Sequence, residues 1–216
     1  MKIVIIGACS KIGIEYVKLL SKKENDLILI DNDKENLINI QNKYKNKVNM
    51  QIIASDIISE SKIKELYIFI RKENPEFIIN NLTFYNNDKF FDNDSKETHY
   101  EYQLNSLYLF SKLFLKDMIK NNKGYILNTL SIDFYNQNIL NADYLGLEAY
   151  LKELTRYVNK VLKKDKLNIC FSSLLIKNRK DLNTIAKYSL KKINSRNTDI
   201  KLKMLYNLYK IFNKEK

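Results

Sequence analysis

Two glycines and an aspartate near the N-terminus have the spacing of residues that hold a dinucleotide. Gly7 and Gly13 are six residues apart, and Asp31 follows eighteen residues after Gly13. A glycine permits a tight turn, backbone N–H groups at a helix start attract a pyrophosphate, and a carboxylate about 20 residues later accepts hydrogen bonds from ribose hydroxyls. Because a carboxylate would also repel a 2′-phosphate, Asp31 favours NAD(H) over NADP(H).

The segments around these residues have the pattern of a βαβ unit. Residues 2–6 and 27–30 are short, β-branched apolar runs, which are typical of strands buried on both faces. Apolar residues between them recur on a helical period, at Ile14, Val17, Leu19 and Leu20. Ser10 and Lys11 stand where a middle glycine would be expected. A glycine turn in some other α/β protein is therefore the alternative, and Lys11 either reaches a phosphate or is simply solvated.

The rest of the chain continues the alternation of strands and helices. Further strands are predicted at 48–54, 77–79, 124–130 and 167–171. Helices are predicted over 34–45, where Asp33 is the cap, and over 100–120, 144–164 and 181–193. One further helix is predicted between the third and fourth strands; it is capped by Ser59 or Ser61 and is broken by Asn74-Pro75. The inner side of this last helix is assigned to Ile63, Leu66, Phe69 and Ile70. The apolar residues of the 34–45 helix are Leu37, Ile38, Ile40 and Tyr44. We read 84–98 as a loop or loose helix.

Six such cycles predict an α/β fold, a three-layer doubly wound parallel sheet of the Rossmann type. Ligands in such sheets bind at the carboxyl ends of the strands, and the stretches 7–13, 31, 56–57, 80–83 and 131 lie at such ends.

The length and composition indicate one domain and no membrane span. The 216 residues suffice for a Rossmann-like dinucleotide-binding and catalytic domain over 1–198. No apolar run approaches a membrane span, no signal peptide precedes the first strand, and two distant cysteines do not indicate a disulfide framework, so we expect a cytoplasmic protein. The net charge is +12, but no nucleic-acid recognition motif accompanies it.

The basic charge is concentrated at the C-terminus, where residues 199–216 predict an amphipathic helix. From Lys177 onward there are 12 Lys or Arg and 3 Asp or Glu, a net +9. The helix would pack on its own domain, on a partner chain, or on an anionic membrane surface.

The motifs together resemble the short-chain dehydrogenase/reductase family over essentially the whole chain. Residues 6–13 are similar to the family's TGxxxGxG, and Asn80-Asn81-Leu82-Thr83 to its NNAG turn. Asp56-Ile57 resembles the pair that contacts adenine. Asn105 stands in its helix as the family's asparagine does, and Ser131 and Tyr144 are thirteen residues apart, the family's usual interval.

The resemblance implies an NAD(H)-dependent oxidoreductase that acts on a carbonyl or alcohol. Tyr144 would exchange a proton with the substrate oxygen, Ser131 would position that oxygen, and Asn105 would support them. The implied cofactor-binding residues are Gly7, Ser10, Lys11, Ile12, Gly13, Asp31, Asp56, Ile57, Asn80 and Tyr144. Expected partners are a small-molecule substrate and a second copy in a homo-oligomer, with no nucleic acid.

One departure from the family bears directly on catalysis. The family has a lysine four residues after its tyrosine, and this chain has Glu148. At ~5 Å and an effective dielectric of ~20 one charge is worth roughly 3 kcal/mol, so a glutamate raises the tyrosine pKa where a lysine lowers it. Lys152, one turn further on, is expected to pair with Glu148 rather than to rescue Tyr144. Glu148 could still accept hydrogen bonds from ribose hydroxyls.

A second departure is the loss of the family's Pro and Gly after the sixth strand, where Ser172-Ser173 stand and the substrate lid is almost absent. The alternative function is therefore a catalytically inactive nucleotide-binding protein with a structural or regulatory role. Cys9 is interpreted as small filler in the turn and His99 as a surface residue, and no metal site is expected because there is one histidine and no cysteine cluster.

Overall fold

The computed structural model describes most of the first 194 residues. The ranges described are 1–57, 59–86, 99–134, 142–176 and 181–194. Within them, side chains are described except at 82–86, 99–103, 131–134, 142–144 and 194. The predicted helix at 199–216 lies outside these ranges, so its packing stays a prediction.

A six-stranded parallel sheet forms the centre of the described chain, in the order β3-β2-β1-β4-β5-β6. Its strands are β1 (Lys2–Ile6), β2 (Asp26–Asp31), β3 (Met50–Ala54), β4 (Phe77–Asn86), β5 (Gly124–Phe134) and β6 (Ile169–Ile176). The order reverses between β1 and β4, which is the switch point where such sheets bind ligands. The predicted fold class is confirmed.

Two layers of helices cover the sheet. The helices are α1 (Lys11–Leu20), α2 (Lys34–Tyr44), α3 (Glu60–Arg71), α4 (His99–Asn121), α5 (Ala142–Lys164) and α6 (Leu182–Asn194). On one face, Ile3 and Ile5 of β1 share a buried cluster with residues of α1, α2 and α6. On the other face, Val4 and Ile6 share a cluster with residues of α3, α4 and α5. The strands are therefore buried on both faces, as their unbroken apolar runs indicate.

A smaller leucine cluster lies at the carboxyl edge of the second face. Leu130 and Leu175 are paired on β5 and β6, and they pack with Leu107 of α4 and Leu147 and Leu151 of α5. This cluster fixes α5 against the ends of β5 and β6.

Three predicted strand ends were wrong because the strands run further. β4 continues through residues 84–86, which had been assigned to a loop. β5 passes Ser131 and ends at Phe134, and β6 passes Phe171 and ends at Ile176. β4 and β5 support each other over the added residues, since Thr83 pairs with Ser131 and Asn86 with Phe134.

Three of the apolar side chains from which these helices were predicted are exposed, and one of them, Phe69, had been assigned to an inner face. Ile14 is 40% exposed because the buried face of α1 follows Ile12, Tyr16 and Leu20, and position 14 is about 200° around from position 12. Ile38 is also exposed. Phe69 is 48% exposed, and Tyr67 takes the inner position instead, with its hydroxyl donating to Asp117 Oδ2 at 2.6 Å. The predicted caps Asp33 and Ser59 are confirmed, since each side chain accepts a hydrogen bond from an N–H of its helix.

Candidate active site

Gly7 and Gly13 allow the turn after β1 to close against its neighbours. Gly7 has φ +70°, and a Cβ there would lie 2.3 Å from the carbonyl oxygen of Asn81. A Cβ on Gly13 would lie 2.3 Å from the carbonyl oxygen of Gly7. Any side chain at either position would collide with backbone, so both glycines are required for this close approach.

Ser10 caps the helix that follows the turn. Its Oγ accepts a hydrogen bond from the N–H of Gly13 at 3.1 Å and donates to the carbonyl oxygen of Gly7 at 2.8 Å. These contacts join the two glycines through one hydroxyl. The role of a cap was not foreseen for Ser10, although Ser is among the preferred N-cap residues and this one directly precedes the helix.

Asn81 fastens the turn to the centre of the sheet. Its Nδ2 donates to the carbonyl oxygen of Gly7 at 3.0 Å and to Ser10 Oγ, and its Oδ1 accepts from the hydroxyl of Thr129 on β5. Asn81 and Thr129 are buried. Asn80, which was predicted as the binding residue, faces the opposite way because side chains alternate along a strand. Its Nδ2 donates to the carbonyl oxygen of Leu107 at 3.4 Å.

The start of α1 offers backbone donors for an anion. Among the described residues, the N–H groups of Lys11 and Ile12 have no hydrogen-bond partner, while that of Gly13 is taken by Ser10. Ile12 is buried and the Lys11 side chain is exposed. Free N–H groups at the positive end of a helix suit a pyrophosphate, so the residues present fit the predicted dinucleotide.

Asp31 lies beside this turn, at the end of β2. One carboxylate oxygen accepts from the N–H of Cys9 at 2.8 Å and the other from the N–H of Asp33 at 3.2 Å. The strand register puts Asp31 next to Gly7, since Ile6 pairs with Ile30. The carboxylate is thus held at the mouth of the turn and remains partly exposed.

The surroundings of Cys9 disfavour the thiolate form of its side chain. Burial raises its pKa to about 12, and the carboxylates of Asp31 and Asp33 act in the same direction. Its Sγ donates to the carbonyl oxygen of Asp33 at 3.7 Å. The raised pKa argues against a reactive thiolate at the helix start. It favours the interpretation of Cys9 as a small residue that fills the turn.

Asp56 and Ile57 follow β3 at the same edge of the sheet. Asp56 is exposed, and Ile57 is partly buried against the second core cluster. The N–H of Ser55 donates to the carbonyl oxygen of Asp31 at 2.9 Å, which ties this segment to the end of β2. Their contact with adenine stays a prediction.

The proposed catalytic residues stand on β5, α4 and α5. Ser131 and Tyr144 belong to β5 and α5, but their side chains lie outside the described residues. Asn105 is exposed on α4. The structure thus assigns the elements, and the meeting of these side chains stays a prediction.

Glu148 and Lys152 form the ion pair that the sequence predicts. Nζ of Lys152 lies 2.6 Å from Oε1 of Glu148. The Glu148 side chain is 8% exposed and that of Lys152 is 55% exposed. The carboxylate is therefore nearly buried, and its cation reaches it from the surface.

Neither a metal cluster nor a membrane-crossing helix is found in the part of the chain that the structure describes. No group of three or more His, Cys, Asp or Glu side chains there could hold an ion. None of the described helices is both long and apolar enough to span a bilayer.

A doubly wound sheet with a glycine turn and an acidic residue at its switch point defines a dinucleotide-binding α/β protein. The short chain dehydrogenase family model matches residues 1–173. The chain therefore belongs to the short-chain dehydrogenase/reductase family, which comprises oxidoreductases of small molecules. No curated protein matches the sequence.

Solved structures of this family share the fold at low identity. A bulky-bulky ketone specific alcohol dehydrogenase from Comamonas testosteroni is 16% identical, with a TM-score of 0.78 over 99% of this chain and 92% of that one. A short-chain dehydrogenase from Sphingobium yanoikuyae in complex with NADPH is 14% identical, with a TM-score of 0.75 over 97% and 92%. A 7α-hydroxysteroid dehydrogenase complexed with NADH and 7-oxo glycochenodeoxycholic acid is 22% identical, with a TM-score of 0.66 over 80% and 68%.

Proposed function

We propose that this protein is an NAD(H)-dependent oxidoreductase that interconverts a carbonyl and an alcohol. The observation that carries the cofactor assignment is the carboxylate of Asp31, held beside the turn by the N–H groups of Cys9 and Asp33. A carboxylate fixed at this position accepts hydrogen bonds from the ribose hydroxyls, and its negative charge repels a 2′-phosphate.

The binding end of the site is preorganised. The N–H groups of Lys11 and Ile12 bind the pyrophosphate with the help of the α1 dipole. Asn81 holds the turn in the conformation that presents them. When bound, the nicotinamide supplies hydride transfer. The chain's own task is to position the dinucleotide and to manage the substrate proton.

At the other end, the family resemblance assigns the proton to Tyr144 and the orientation of the substrate oxygen to Ser131, with Asn105 in support. Glu148 lies one turn after Tyr144 on α5. In this proposal its carboxylate accepts hydrogen bonds from ribose hydroxyls of the cofactor, a task that the family gives to a lysine ammonium.

Titration of the protein with NADH and with NADPH, followed by nicotinamide fluorescence, tests the cofactor assignment. We expect NADH to bind at least about tenfold more tightly, because one fixed charge near a phosphate is worth more than 1 kcal/mol. Equal or tighter binding of NADPH would contradict the role of Asp31. Failure of both to bind would contradict the proposed function itself.

The alternative function, a nucleotide-binding protein without catalysis, is favoured by one specific observation. The position where the family has its lysine carries a buried carboxylate that is paired with Lys152. Turnover of NADH with a panel of small, lipid-like and sugar-like ketones separates the two functions. Tyr144→Phe is the control, because a rate that survives this change does not come from the proposed site. NADH binding without any Tyr144-dependent turnover would establish the inactive alternative.

The sequence also predicts two contacts with partners other than the substrate, namely a homo-oligomer and a membrane surface. A homo-oligomer is tested by sedimentation velocity. Peripheral membrane contact through residues 199–216 is tested by co-sedimentation with anionic liposomes, with and without that segment. Equal pelleting of both forms would contradict membrane contact.

A further inference from the structure

A groove between α1 and α2 takes no part in the proposed function. Its volume is about 370 Å³, within the roughly 300–1,000 Å³ that is typical of small-molecule sites. Ile14 of α1 and Tyr44 of α2 supply apolar surface to it. The charged residues that line it are Glu15, Lys18, Lys22, Lys43 and Lys47. The groove therefore collects four ammonium groups and one carboxylate.

Most of this positive charge is not compensated by the described part of the chain. Of the four lysines, only Lys18 forms an ion pair with a carboxylate among the described residues, at 3.4 Å from Glu15. That carboxylate is shared with Asn183 of α6, whose Nδ2 donates to it at 2.5 Å. Like charges that line one concave surface reinforce each other's potential, so the groove attracts anions.

Two of the lysines are held at the groove by an aromatic ring. Nζ of Lys43 lies 5.8 Å and Nζ of Lys47 lies 5.7 Å from the centroid of the Tyr44 ring. An ammonium at this distance is attracted to the ring by a cation–π interaction. Because these two groups are already positioned, an anion that binds them loses less side-chain entropy than it would with freely rotating lysines.

We propose that this groove is a binding site for a compact polyphosphate, an ion in which several phosphoryl groups lie close together. Lysine binds phosphate as a point charge, and none of the described residues that line the groove is an arginine, which would suit bidentate carboxylate recognition. Tyr44 is buried, so its ring offers no open face on which a nucleobase stacks. Lys22 lies beyond the C-terminal end of α1, a helix about 15 Å long, and the glycine turn lies at its other end. The groove is therefore separate from the proposed cofactor site, and the inference does not depend on the proposed function.

The experiment measures the binding of inorganic tripolyphosphate and of inorganic monophosphate by calorimetry at one ionic strength. We expect tripolyphosphate to bind the wild type at least about tenfold more tightly, because more of its charges meet the ammonium groups. Lys43→Gln/Lys47→Gln should weaken the binding of tripolyphosphate at least about tenfold, because two of these groups are lost. The matched control is Lys163→Gln/Lys164→Gln, which removes the same charge from the exposed last turn of α5 and should change the affinity by less than about threefold.

The two double variants also distinguish the groove from the glycine turn, the other place where the probe can bind. Unchanged affinity in Lys43→Gln/Lys47→Gln would show that the probe binds elsewhere, and would overturn the inference. Equal losses in both double variants would overturn it as well, because only the overall charge would then matter. Tighter binding of a single-stranded oligonucleotide or a glutamate peptide of the same net charge would overturn the assignment to a compact polyphosphate. Absence of tripolyphosphate binding to the wild type would overturn the inference, whereas the proposed function would still be decided by the NADH titration.

Discussion

The two ends of the proposed cleft are built in different ways. At the adenosine end, backbone and neutral side chains form a closed hydrogen-bond network, in which Ser10, Asn81 and Thr129 hold the glycine turn. At the nicotinamide end, the chain places a buried carboxylate and a surface lysine in an ion pair. The first end follows the family pattern in its glycines and its acid. The second departs from that pattern at one charged position.

This difference separates binding from chemistry. The contacts of the turn depend on shape and on short hydrogen bonds, so they tolerate a missing middle glycine as long as Ser10 and Asn81 remain. A proton transfer depends on the pKa of its donor, and one reversed charge nearby changes that pKa. A chain can therefore keep its cofactor while its catalytic rate falls, and the predictions below test the two ends separately.

The largest effect is expected at the glycine turn. Gly13→Ala would place a Cβ 2.3 Å from the carbonyl oxygen of Gly7 and 2.8 Å from that of Ala8. We expect a loss of about 1–3 kcal/mol in the free energy of unfolding, since neither carbonyl can move freely. NADH affinity should fall about a hundredfold, because the N–H donors are displaced. Thermal denaturation and fluorescence titration measure the two effects.

The matched control is the same chemical change on α5. Gly146 is exposed within that helix, so Gly146→Ala should raise the free energy of unfolding by about 0.5–1 kcal/mol. If Gly13→Ala bound NADH as well as Gly146→Ala does, the turn would not be the cofactor cradle.

At the other end, reversing the ion pair should raise turnover. Glu148→Lys/Lys152→Glu keeps the pair on α5 but places the positive charge one turn from Tyr144. The tyrosine pKa should fall, and turnover of a generic ketone with NADH should rise by about a hundredfold. Glu148→Lys alone should gain at least as much, because Lys152 then adds a second positive charge to this part of α5 in place of a negative one.

The control for this variant removes the proton donor. Tyr144→Phe in the reversed background should abolish the gain. If the variant with the reversed pair bound NADH normally but turned over no faster than the wild type, the charge at position 148 would not be what limits the rate of turnover.

A smaller and more selective effect is expected at Asp31. Asp31→Asn keeps an oxygen that can accept from the N–H of Cys9 but removes the charge. The ratio of NADPH to NADH affinity should rise about tenfold, because the repulsion of a 2′-phosphate is lost.

Asp33→Asn is the matched control. Asp33 caps α2 through Asn36, and asparagine caps equally well, so the ratio should change by less than about threefold. Equal shifts of the affinity ratio in both variants would mean that Asp31 and Asp33 act only through the overall negative charge of this region.

The sequence predicts the fold well because the fold depends on periodicity. The doubly wound parallel sheet follows from alternating buried runs and helices, and Asp31 and the two glycines follow from spacing alone. The ion pair of Glu148 and Lys152 was predictable for the same reason, since positions four apart on a helix are neighbours.

What the sequence could not give depends on contacts between distant segments. Asn80 and Asn81 are equivalent in a strand pattern until the register with β1 shows which one faces the turn. The lengths of β4 and β5 are set by their mutual pairing over ten residues, which neither segment's composition reveals. Phe69 was misassigned although the helical period was sufficient to place it. The buried residues of α3 are spaced i, i+3, i+4 and i+7 from Ile63, so Tyr67 belongs to the inner face and Phe69 lies about 200° around from it.

The mildest probe of the adenosine end is the reactivity of Cys9. With a thiol pKa of about 12, only about one molecule in ten thousand is a thiolate at pH 8, so the folded protein should resist iodoacetamide there. The rate should rise about tenfold for each unit of pH, because the thiolate is the reactive form. Asp31→Asn should speed the reaction severalfold, since removal of a nearby negative charge lowers the pKa of the thiol.

Peptide mapping by mass spectrometry distinguishes Cys9 from the buried Cys170. Labelling of Cys9 at the rate of a free thiol at pH 8 would mean that its burial and its contact with Asp31 do not hold in solution, and the fixed carboxylate on which the NAD preference rests would be lost with them.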